Sequence, residues 1–169
     1  MISLIRANCV ILEQGVELLR QHSDASYTKS DKAIYGSSIG CHVRHVLDHY
    51  NAFVKAVESG VLAYDDRERN TKVENDRSCA IAAFESSIKE LEALEDLPDG
   101  GVDVAVAAST QESQEISRSS LARELQFLVS HTVHHFALIA IASRVQGIIP
   151  GSSFGVAPST LKYMSTVKA

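Results

Sequence analysis

The sequence predicts an all-α protein: a four-helix bundle with a short hairpin or extended segment before its last long helix. Three observations lead there. Four stretches space their apolar residues three and four apart over roughly twenty positions each, as one face of a helix requires. Capping or breaking residues bound those stretches. A further stretch, around Val104, alternates apolar and other residues, which is the period of a strand. At 169 residues, 45% of them hydrophobic, the chain suits a single domain over 1–169 with a core of its own.

The first helix is expected over residues 2 to about 21, where Leu4, Ile5, Ile11, Leu12, Val16, Leu18 and Leu19 recur at helical spacing. The polar stretch "SDASYTKSDKAIYGSS" interrupts it. Ser37 or Ser38 then caps a second helix that Gly60 stops, with Ile39, Val43, Val46, Leu47, Tyr50, Phe53, Val54 and Val57 on its apolar face. After the charged connection "AYDDRERNTKVEN", a third helix begins at Asn75 or Asp76 and turns Ile81, Phe84, Ile88, Leu91 and Leu94 inward. "PDGG" ends it. Val102, Val104 and Val106 alternate in the next segment, which is read as a hairpin or extended crossing. Ser119 or Ser120 caps the fourth helix, which runs to about Gln146 with Gly147 just beyond. The Gly/Pro-rich tail is expected to hold at most a short helical turn after Pro158.

Composition narrows the functional classes. The net charge is −5 and the Lys and Arg residues are dispersed, so the basic footprint of a nucleic-acid binder is missing. Cys9, Cys41 and Cys79 are odd in number, far apart and without a CxxC pair, as in a reduced, cytoplasmic protein. The N-terminal stretch lacks the uninterrupted apolar run of a signal peptide, and "FALIAIA" is too short to span a bilayer. The expected partners are a small-molecule substrate, with no nucleic acid and no membrane. Leftover apolar helix surface permits a homodimer.

Of the seven histidines, all but His22 fall into "CHVRHVLDHY" and "HTVHH". His131 and His135, four apart, lie on one helix face with Leu121, Leu128 and Ile139, while His134 lies to the side. Two imidazoles one turn apart can chelate a metal ion or can pack beside hydrogen-bonding neighbours. His42, His45 and His49 form a stripe along the second helix, beside its apolar face. One of them added to the later pair makes a three-nitrogen site with an open position, the layout of a catalytic rather than a structural metal. HExxH, Walker A, GxGxxG and GxSxG are absent, and no histidine follows an acidic residue by three, as di-iron carboxylate bundles require.

With these residues the sequence resembles the DinB-like superfamily of bacterial four-helix-bundle proteins over roughly residues 1 to 147. Ser38, His45 and Asp48 in "SSIGCHVRHVLDH" match its second-helix pattern, and His131 and His135 in "LVSHTVHHFALI" match its later HxxxH. "YDDRERNT" and "FGVAPSTLKY" look like hallmarks of a less studied branch. The resemblance implies metal ligands His45, His131 and His135, although helical geometry sets His42 and His49 nearer the apolar face; His49 is the alternative ligand. It implies a divalent ion (zinc, nickel or manganese) and, in some members, chemistry with a low-molecular-weight thiol. DNA reading is not implied.

On this reading the protein is a metal-dependent thiol-linked transferase or isomerase. A metal-dependent hydrolase and a non-enzymatic bundle binding metal or a small ligand are the alternatives. Three neutral imidazoles leave a divalent ion its full charge, which favours thiolate over thiol and hydroxide over water. Asp48, Tyr64 and His49 are the catalytic candidates; Asp48 either orients His45 or is a solvated charge. Arg67 and Arg69 either clamp a carboxylate-bearing ligand or pair with Asp65 and Glu68 to fasten their loop. Cys41, one turn from His45, reads as a small half-buried residue.

Overall fold

The caps that the sequence offers are used. Ser38 Oγ accepts from the Cys41 amide, Asp76 from that of Cys79, and Ser120 Oγ from that of Arg123. In a computed structural model, which describes residues 1–32, 34, 36–66, 68–69, 71–107 and 114–167, these caps open three of four long helices. The four are α1 (Ile2–Gln21), α3 (Ile39–Ser59), α5 (Arg77–Glu92) and α6 (Leu121–Val145). Gly60 ends α3 with φ of 74°, the left-handed conformation that glycine adopts without a Cβ clash.

The chain is mostly helical. Helix α1 packs on α5 and α6, and α3 packs on the same two, so each long helix has two long neighbours. Their inward residues, among them Leu12, Leu19, Val46, Phe53, Phe84, Leu125 and Phe136, form one core. A polar bridge crosses it. The Tyr50 hydroxyl donates to Asn8 Oδ1 at 2.8 Å and lies 3.1 Å from Thr132 Oγ1, while Asn8 Nδ2 donates to the carbonyls of Leu4 and Leu125. These groups are fully or almost fully buried and satisfy one another, which locks α1, α3 and α6 in register.

The alternating segment is the middle strand of a three-stranded sheet, whose first strand falls where the sequence shows only a connection. β1 (Val61–Ala63) runs parallel to β2 (Gly101–Val106), and β2 pairs antiparallel with β3 (Glu115–Ser120). Register places Ala63 opposite Ala105 and Gly101 opposite Ser120. β2 lies between the other two strands, and Tyr64, just after β1, reaches Glu124 in the first turn of α6 through its side chain.

Three short helices fall where the sequence shows only polar connections or a tail. α2 (Asp24–Thr28) and α4 (Thr71–Asn75) are each five residues long, too short to show a period. They are held by tertiary contact: the buried Tyr27 hydroxyl donates to the Val73 carbonyl at 2.8 Å. A Cβ on Gly40 would collide with the Glu74 carbonyl, so only glycine lets α3 approach α4 this closely. After the tail, α7 (Pro158–Val167) extends ten residues rather than one turn. By length and composition alone α6 could cross a membrane; one face of it packs against α1 and α3.

His22 follows α1 and is buried, with Nδ1 3.0 Å from Ser26 Oγ and Nε2 3.0 Å from Ser143 Oγ. Burial, and then the Arg77 charge, hold its pKa below the ordinary 6.5. The unfolded chain therefore takes up this proton first as pH falls. The contribution is complete above pH 6.5 and is lost below it, towards the folded-state pKa. The urea midpoint should thus drop between pH 7.5 and 5.5, and the drop should be smaller in His22→Gln. An equal drop in the variant would remove His22 from the account.

Candidate metal centre

Helices α3 and α6 lie side by side, and their facing flanks carry the two histidine clusters. His45, His131 and His135 converge: one ring nitrogen of each lies within 4.8 Å of the others, so the group can hold a metal ion. His45 Nε2 and His131 Nε2 are 3.1 Å apart. Two nitrogens bonded to one tetrahedral zinc at about 2.0–2.1 Å would be separated by about 3.3 Å. The residues present thus fit a divalent cation, and three neutral nitrogens leave a position open.

The three rings are half-buried at the rim of the helix pair. The inward stripe of α6 is carried by Leu125, Leu128, Thr132, Phe136 and Ile139. His131 and His135 flank this stripe rather than sit in the core. Burial, followed by the crowding of His45, His131, His42 and His134, pushes His135 down to about 3. It is therefore neutral near pH 7, with a lone pair to offer a cation.

The remaining histidines surround the three. His49 is buried, its Nδ1 donates to the His45 carbonyl at 2.9 Å, and its ring stacks on His131 with centroids 4.0 Å apart. His42 Nδ1 lies 3.1 Å from His135 Nδ1; burial and His134 lower its pKa. His134 points to solvent. The second-helix stripe is thus divided: His45 joins the α6 pair, while His42 and His49 touch it from either end.

Tyr64, carried to the site by β1, stacks on His49 at 4.9 Å and donates to Glu124 Oε2 at 2.8 Å. Burial and the Glu124 charge raise its pKa, so it stays a phenol. Phe127 lies near-parallel to His131 at 5.4 Å. Tyr64 and Phe127 also form one wall of a cleft of about 260 Å³, completed by Val104, Val106, Arg123 and Glu124. Two larger grooves, of about 370 and 340 Å³, run along α1 and are not lined by these three histidines.

Asp48 is buried and lines a small groove with Asn51, Ala52, Lys55, Asp66 and Glu68. In the loop after β1, Asp65 accepts from the Ala107 amide at 2.7 Å, and Glu68 pairs with Lys55 at 2.7 Å. Arg69 adopts φ of 50° and is not among the residues lining the Tyr64 cleft; Arg67 lies outside the described residues. Cys41 is half-buried and donates to Glu74 Oε1 at 2.9 Å, with Arg44 pairing to the other Glu74 oxygen at 3.3 Å. Burial pushes the Cys9 thiol up to about 11, so it is not a poised nucleophile.

The pairing of Glu124 with Tyr64 and the contact of His42 with His135 join residues far apart in sequence, so neither is legible in a local pattern. A carboxylate four residues before Leu128 on an apolar stripe is the one sequence signal that marks Glu124. No family model matches the chain, and no solved structure matches it. FK506-binding protein 5 of Rhizopus delemar is 36% identical over 109 residues, which cover 62% of this chain. The match spans only 28% of that longer protein.

Proposed function

We propose that the chain is a divalent-metal-dependent enzyme, built as a DinB-like four-helix bundle, that activates a low-molecular-weight thiol for transfer or isomerisation in the cytoplasm. The observation that carries this reading is the convergence of His45, His131 and His135 nitrogens within 4.8 Å. A divalent ion held there would supply Lewis acidity, favouring a thiolate or an ionised water at neutral pH. His135 is kept neutral by burial and by its neighbours and so remains a ligand rather than a cation. Tyr64 holds a phenolic proton beside the site, and Glu124 fixes that phenol's direction. Val104, Val106 and Phe127 give a substrate an apolar wall.

The hydrolase reading draws on His49. Its Nδ1 donates to the His45 carbonyl, so in the neutral ring the lone pair sits on Nε2, the arrangement a general base needs. The likeness to part of a protein named for FK506 binding favours neither chemistry.

The test is consumption of a low-molecular-weight thiol with an alkyl electrophile after reconstitution with zinc, nickel or manganese. Metal-dependent turnover that disappears in His135→Ala supports the reading. Ester cleavage without thiol consumption would favour the hydrolase, and neither activity would leave a metal-binding bundle. Tyr64→Phe removes only the hydroxyl, and general acid–base help is typically worth 10²–10⁴-fold. A fall in kcat of about 100-fold at unchanged metal content is expected if the phenol takes part. An unchanged kcat would make Tyr64 a wall residue.

A further inference from the structure

His42 lies outside the group of three ligands, yet its Nδ1 is 3.1 Å from Nδ1 of His135. Two neutral imidazoles can meet in this way only if one ring supplies the proton and the other the lone pair. Two N–H groups, or two lone pairs, would repel. The donor fixes the His135 tautomer, because a neutral imidazole carries a single proton.

We propose that His42 is a positioning residue for the metal centre: its Nδ1 accepts from His135 Nδ1–H, which leaves His135 Nε2 as the ligand atom. This rests on the metal reading above and adds to it the means by which His135 is aimed. His45 and His131 already direct Nε2 at one another, 3.1 Å apart. The His135 ring stands edge-on to both, with centroids at 4.5 and 4.6 Å. His42 holds Nδ1 of His135, so Nε2 is the nitrogen left to offer a lone pair to an ion. The opposite tautomer would place a proton on Nε2 and block it. His42 stands one turn before His45 on α3, so the helix that supplies one ligand also orients another. Metal-ligating histidines commonly donate their outer N–H to a fixed acceptor, and loss of that acceptor typically costs 10- to 100-fold in metal affinity.

The experiment has two readouts on the whole chain. In metal-free protein at pH 8, imidazole ¹⁵N spectra report the tautomer: His135 is expected with Nδ1 protonated in the native chain and to shift towards the Nε2–H form in His42→Phe. Zinc affinity, by competition with a chromophoric chelator, is expected to fall roughly 10- to 100-fold in His42→Phe. It should recover in part in His42→Asn, whose carbonyl can accept the same bond. If native protein binds zinc but His135 carries Nε2–H, or if His42→Phe binds zinc as tightly as native, the proposal is overturned. An affinity loss with an unchanged tautomer overturns it too, since that would be a packing effect. If native protein binds no zinc, the metal reading itself fails, and the proposal with it.

Discussion

His131→Ala and His135→Ala should each weaken divalent-metal binding by more than the roughly 100-fold that loss of an outer partner can cause. Each removes one of the three nitrogens that, among the described residues, converge within 4.8 Å. A two-nitrogen remnant must take its other donors from water. The helices should survive, because both rings sit half-buried beside the α6 stripe rather than within it. Competition with a chromophoric chelator measures the affinity and far-ultraviolet circular dichroism checks the fold. Near-native affinity in either variant would mean that its ring is a neighbour and not a ligand.

Phe136→Ala is expected to destabilise the chain by about 3–5 kcal/mol, the range for emptying a buried aromatic site. Phe136 follows His135 directly and is almost wholly buried. It packs edge-on against Phe84 at 6.3 Å and stacks on Phe154 at 4.5 Å. A Cβ on Gly15 would lie 2.9 Å from its ring, so α1 closes over it without slack. The cavity left cannot be filled by a small shift of α1, and the turn that carries His135 loses its floor. Urea unfolding gives the magnitude. A loss below about 1 kcal/mol would show that the core collapses to fill the site.

What could be read from sequence alone follows the range of the interactions. The caps Ser38, Asp76 and Ser120 and the stop at Gly60 stand where local hydrogen bonding and glycine's backbone freedom demand them. The i, i+4 relation of His131 and His135 is likewise local. The choice among His42, His45 and His49 is not, since all three lie on one flank of α3. It is decided by where α6 runs against that flank: His45 meets His131, His42 meets His135, and His49 stacks over His131. Glu124 meets Tyr64 only because the register of β1, β2 and β3 joins segments 60 residues apart. Cys41 meets Glu74 because Gly40 admits α4, a contact that no periodicity announces.

The central claim is that one ion is shared by His45, His131 and His135. Elemental mass spectrometry of native protein, set beside His45→Ala and His49→Ala, tests it most directly. The account predicts about one equivalent of a divalent metal in native protein, retained by His49→Ala and lost by His45→Ala. Retention by His45→Ala with loss in His49→Ala, or no metal in native and reconstituted protein alike, would contradict it.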